Sequence, residues 1–180
     1  MFLMRVVVSL FEFVLAVVMS GLVIYTTYRI FIKANPDFDM EQEIKKGNVA
    51  TGLLVGTILI CASTFLEKGM SSVVGMFRLY ATAPGAAPIP IWEMVLLGVA
   101  HLALSMFLAV LTISITLRLF GRLSADRMQE GKELQKGNVA MGILLSSVVI
   151  VATIYVSGAV GSLSKALVPQ PSIGHIEVLK

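Results

Sequence analysis

Charge is scarce in this sequence, and so are the residues that usually carry chemistry. Asp, Glu, Lys and Arg make up 14% of 180 residues, beside two histidines, one cysteine and one tryptophan. Soluble domains carry about a quarter charged residues, so an ordinary globular domain is excluded. The single cysteine, Cys61, rules out an intramolecular disulfide and lies in an apolar run, where a thiol behaves as a small hydrophobe. The two histidines, His101 and His175, are far apart, and no HExxH, Walker loop or dinucleotide fingerprint is present. No enzyme, metal centre or cofactor is therefore expected. The net charge of +3 does not point to nucleic acid, because the basic residues are not gathered into a patch with interleaved aromatics.

What the chain has in quantity is apolar length: 57% of its residues are hydrophobic and the mean hydropathy is +0.89. A helix needs about 20 mostly apolar residues to cross the hydrocarbon core, and four stretches qualify, 6–32, 49–66, 91–120 and 139–163. In lipid an open strand would leave backbone groups unpaired, so all four are expected to be helices. The first follows Arg5, but its apolar core is longer than a signal-peptide h-region and ends without a small-x-small cleavage site, so it reads as a retained span.

Nine of the fourteen basic residues fall in two short links, Arg29, Lys33, Lys45 and Lys46 in the first and Arg118, Arg122, Arg127, Lys132 and Lys136 in the second. Short basic loops stay cytoplasmic. The N-terminus, the loop 67–90 and the C-terminus are then expected outside, with Trp92 at the outer interface and Tyr25 and Tyr28 at the inner one. The organisation expected is a first hairpin at 1–66, an outer loop at 67–90, a second hairpin at 91–168 and an outer tail at 169–180.

The segment KGNVATG, Lys46 to Gly52, returns as KGNVAMG, Lys136 to Gly142. Glu43 aligns with Glu133 and Ile44 with Leu134, and a one-residue offset aligns YRIF, ending at Phe31, with LRLF, ending at Phe120. The chain reads as an all-α integral membrane protein, four transmembrane helices in two parallel-oriented helical-hairpin repeats related by an axis along the membrane normal. Small or polar residues recur four apart in each copy, Asn48, Gly52 and Gly56, then Asn138, Gly142 and Ser146. On one helical face they would let backbones approach closely. Asn48 and Asn138 suit helix N-capping, and Gly47 and Gly137 an unusual backbone angle. The alternative is that two helix N-termini, with Lys46 and Lys136, hold an anion.

With these two GN motifs, Ala50 and Ala140, and the hydrophobic positions Ile44 and Leu134, the chain resembles the YjfL-like family of bacterial inner-membrane proteins, a domain of unknown function occurring as four-span proteins. The resemblance covers about residues 11–157. It implies location in a bacterial inner membrane and companionship with membrane-stress or membrane-remodelling proteins, but no reaction. The outer loop is longer than the family implies, and the tail is an addition.

Ionisable groups within apolar spans are candidates for function by default. The offset that aligns Arg29 with Arg118 also aligns Glu12 with His101, each 17 residues from its arginine, about 25 Å along a helix. They read either as a proton or cation relay or as a carboxyl that reaches water and an imidazole bonded to a backbone carbonyl. The links mix both signs of charge and are compatible with short surface helices, with Met40 and Ile44 on one face and Met128 and Leu134 matching them. The function expected is a structural or accessory subunit of a membrane assembly, with the lipid bilayer and either other membrane subunits or further copies of itself as partners. An oligomeric ion conduit through Glu12 and His101 is the alternative.

Overall fold

The computed structural model describes residues 2–33, 38–82, 90–124 and 128–166. Regular structure among them is entirely helical: α1 (Phe2–Thr27), which widens into a π-helical turn (Tyr28–Lys33), α2 (Met40–Lys45), α3 (Val49–Thr82), α4 (Ile91–Ser124), α5 (Glu130–Gln135) and α6 (Val139–Ala166). Four helical stretches are long and apolar enough to cross a membrane: α1 with its π turn, α3, α4 and α6. The protein is a multi-pass membrane protein, and the tail at 169–180 lies outside the described residues.

Most of the segment expected as an outer loop is instead a continuation of α3. From Glu67 to Thr82 no proline removes an amide from the helical ladder, and the next proline along the chain is Pro84. At 34 residues α3 is about 51 Å long, against about 30 Å of hydrocarbon. Its excess length is packed: Val73, Val74 and Met76 are buried, and Phe77 stacks on Phe11 of α1 with ring centroids 4.2 Å apart.

Helix α3 is the hub, packing against α1, α4 and α6, and is the most buried of the four spans. Helix α4 also packs on α6. Leu54, Ile58 and Phe65 of α3, Ile113 of α4 and Val149 of α6 are the innermost large side chains. Since lipid tails are as apolar as leucine, these contacts hold through close packing more than through exclusion of water. Helix α1 shows this sparingly, with Val8, Met19, Val23 and Thr27 its buried residues, the last three spaced four apart on one face. Between α1 and α4 runs an apolar groove of about 580 Å³, lined by residues such as Met19, Leu22, Val99, Met106 and Phe107.

At the other end the links are short helices. Asp39 caps α2, its carboxylate accepting from Gln42 N at 2.9 Å. Tyr28 Oη donates to Glu41 at 2.7 Å, and Arg29 lies over the Tyr25 ring at 5.9 Å. Of the four apolar link residues, Met40 and Leu134 turn into the core, whereas Ile44 and Met128 are exposed.

Candidate functional site: two KGN joints and the α3–α6 seam

Each KGN segment turns a short link helix into a long apolar one within three residues. In the first, Gly47 N–H donates to Ile44 O at 2.9 Å and Asn48 N–H to Glu43 O at 3.0 Å, with Gly47 at φ +81°. In the second, Gly137 N–H donates to Leu134 O at 2.9 Å and Asn138 N–H to Glu133 O at 3.0 Å, with Gly137 at φ +79°. This pair of bonds closes a helix C-terminus through a left-handed residue, the conformation glycine adopts without cost. Alanine at either position adds about 1–2 kcal/mol of backbone strain. Gly47→Ala and Gly137→Ala are each expected to lower the thermal midpoint in detergent by several degrees, a double variant by about the sum.

The next residue opens the long helix. Asn48 Oδ1 accepts from Thr51 N at 3.1 Å, and Asn138 Oδ1 from Met141 N at 3.3 Å, so each asparagine is an N-cap. Its amide turns back to the link: Asn48 Nδ2 donates to Glu43 at 3.1 Å, Asn138 Nδ2 to Glu133 at 3.0 Å. The same carboxylates pair with Lys46 at 2.9 Å and Lys136 at 2.8 Å. Each joint is thus a closed Glu, Lys and Asn unit. Both lysines pair with their own glutamates, and each asparagine oxygen occupies one amide at its helix start.

The lysine first, then the asparagine amide, holds each of these glutamates below the ordinary carboxyl value of 4.5. A depressed folded-state value contributes stability that is present above the unfolded value and lost as pH falls through the folded one. Hydrogen-exchange protection at Asn48 and Asn138, corrected for intrinsic rates, is expected to be flat from pH 8 to 6 and to fall below about pH 4.5.

The joints are alike internally but unlike in their surroundings. Asn48 Nδ2 also donates across to Leu134 O at 2.7 Å and Gln135 O at 3.3 Å, tying the start of α3 to the end of α5. Among the described residues Asn138 has no such cross bond, and it is exposed. Just beyond, α6 lies on α3 so closely that a Cβ on Gly142 would stand 2.8 Å from Ala50 O and 2.9 Å from Ala50 Cα. Only glycine fits there. Gly142 and Ser146 are buried in this seam, but Gly52 is exposed, and a Cβ on Gly52 or Gly56 would meet nothing within 4 Å. The expected small-residue face is therefore used on α6, whereas on α3 a different face, through Ala50, Leu54 and Cys61, makes the contact. The α6 stripe continues to Thr153 and Ser157, both buried. The spacing of four was legible as far as Ser146, but a single step of three to Val149 then interrupts the run of small residues before the spacing of four resumes at Thr153 and Ser157.

Among the described residues no hydrogen bond or ion pair joins Glu12 to His101. Glu12 is exposed on α1 and makes no hydrogen bond or ion pair among the described residues. His101 is 3% exposed, and its Nδ1–H donates to Leu97 O one turn earlier at 2.7 Å, a carbonyl being able only to accept. Its backbone, with Ser105, lies against Gly69 of α3. Gly69 is 21 residues beyond Asn48, about 31 Å along α3, which puts His101 toward the end of the bundle away from the KGN joints. Sequence reasoning did not single out the buried hydroxyls of Thr51, Ser105 and Thr153: Thr51 and Ser105, with Ser146, make no hydrogen bond among the described residues and fill tight helix contacts by their small size, and Thr153 lies beside Cys61.

Comparison with protein families matches most of the chain. The model described as Domain of Unknown Function (DUF350) matches residues 4–160. The chain belongs to the DUF350 family. The match covers most of each of the four spans and both KGN joints of this DUF350 protein, and stops before the tail. No curated protein and no solved structure matches it.

Proposed function

We propose that this DUF350 protein is a non-catalytic structural or accessory subunit of an assembly in a bacterial inner membrane. The observation that carries the reading is the closure of both joints: the charged and amide groups of the two motifs bond to one another and, through Asn48, to the neighbouring link. Residues that build joints leave the apolar helix faces as what the protein offers to others. The bias of basic residues toward the two links supports an orientation with those links cytoplasmic and both termini and the α3–α4 connection periplasmic. The matched joints also support two hairpins that arose as copies of one unit, in the manner of the YjfL-like proteins.

The reading is tested by flux and by recovery of partners. Purified protein in liposomes is expected to show no pH-dependent ion flux. A flux that survives in wild type and disappears in Glu12→Gln or His101→Ala, with the variants still folded, would replace the scaffold with a conduit. Deletion of residues 169–180 is expected to reduce recovery of co-purifying subunits while leaving the membrane part folded.

A further inference from the structure

The contact between the two hairpins is one-sided. It joins Ala50 to Gly142, Cys61 to Thr153 and Lys68 to Gly161, residues 92 or 93 positions apart. Equivalent residues of the two motifs are 90 apart. If the hairpins met through a symmetric contact, Gly52 would meet Ala140 as Gly142 meets Ala50, and Asn138 would reach Ile44 O as Asn48 reaches Leu134 O. Neither occurs: Gly52, Asn138 and Ala140 are exposed. The same holds a few turns on, where Cys61 and Thr153 are buried but their equivalents, Val151 and Ser63, are exposed.

One chain therefore contains a filled head-to-tail contact and, at its two flanks, the unfilled halves of the same contact. The α3 face bearing Gly52 and Ser63 is the counterpart of the α6 face that receives α3. The α6 face bearing Asn138, Ala140 and Val151 is the counterpart of the α3 face that docks. A surface that is not self-complementary but matches a different patch on the same molecule propagates head to tail.

We propose that the occupant of these flanks is a second copy of the chain, the α6 face of one copy docking on the α3 face of the next and extending the α3–α6 seam in the plane of the membrane. Asn138 then donates across to the link carbonyls of Ile44 and Lys45 of the neighbouring copy. The inference deepens the assembly reading by naming a self-contact and rests on it only in treating the apolar faces as packing surfaces; recovery of foreign subunits tests that reading separately.

The test uses the full chain in native membranes with Cys61→Ala as the background. Ser63→Cys with Val151→Cys, oxidised with copper phenanthroline, is expected to give a ladder of dimers, trimers and higher species on non-reducing gels. Either cysteine alone is expected to stay monomeric, since a head-to-tail contact never brings a residue to its own copy. Adding Gly52→Leu to the pair is expected to abolish the ladder without moving the thermal midpoint. Folding is checked independently by Thr153→Cys in the native Cys61 chain, which is expected to close an intrachain disulfide. A folded pair variant that gives no ladder, or single variants that cross-link as well as the pair, would overturn the proposal.

Discussion

Gly142→Leu is expected to unfold the α3–α6 seam, lowering stability by about 3 kcal/mol and the thermal midpoint by roughly 10 °C. The atoms a side chain would strike are the backbone O, Cα and C of Ala50, at 2.8, 2.9 and 3.2 Å. Backbone cannot rotate away, so the helices must separate, and the packing around Leu54, Leu145 and Val149 is lost with them. Gly52→Leu is the control at the equivalent position: a Cβ there meets nothing within 4 Å, and the stability of the isolated chain is expected to stay within about 0.5 kcal/mol of wild type. Melting of the two variants in detergent, side by side, separates a glycine required by a contact within the chain from one that is not.

Asn48→Ala is expected to cost about 2–3 kcal/mol and Asn138→Ala about 1 kcal/mol, although the two asparagines occupy matching positions. Both lose an N-cap and a bond to a glutamate; Asn48 alone also loses its bonds to Leu134 O and Gln135 O. Serine discriminates between the contributions. Its hydroxyl caps a helix well but is too short to reach the opposite link, so Asn138→Ser should restore most of the loss at that joint. Asn48→Ser should restore only the part due to the cap. Chemical or thermal unfolding of the four variants checks this, and equal losses at the two joints would remove the cross bond from the account.

Much of this was legible in the sequence. Four apolar runs announced four helices, because lipid leaves a spanning chain no other way to pair its backbone. The joints were legible in more detail: Lys-Gly-Asn after an acidic helix encodes a left-handed turn followed by a cap, and both copies form it. The extent of α3 was not, since hydropathy falls at Glu67 and Lys68 while helical bonding continues to Thr82, and charge ends an apolar run without ending a helix. The seam was half legible. Spacing of four marks a face, but spacing cannot say which of two equivalent faces is covered, and here Gly142 is covered while Gly52 is exposed. The pairing of Glu12 with His101 was an inference from equal depth, and equal depth on two helices does not turn side chains toward one another.

The measurement that bears most directly on the account is the mass and composition of the particle extracted from native membranes in mild detergent, by native mass spectrometry. As a subunit of an assembly, the protein is predicted to appear in a particle well above the 19.4 kDa of one chain, with several copies of itself, with foreign subunits, or both. A single chain at 19.4 kDa, obtained under conditions that keep it folded, would contradict it.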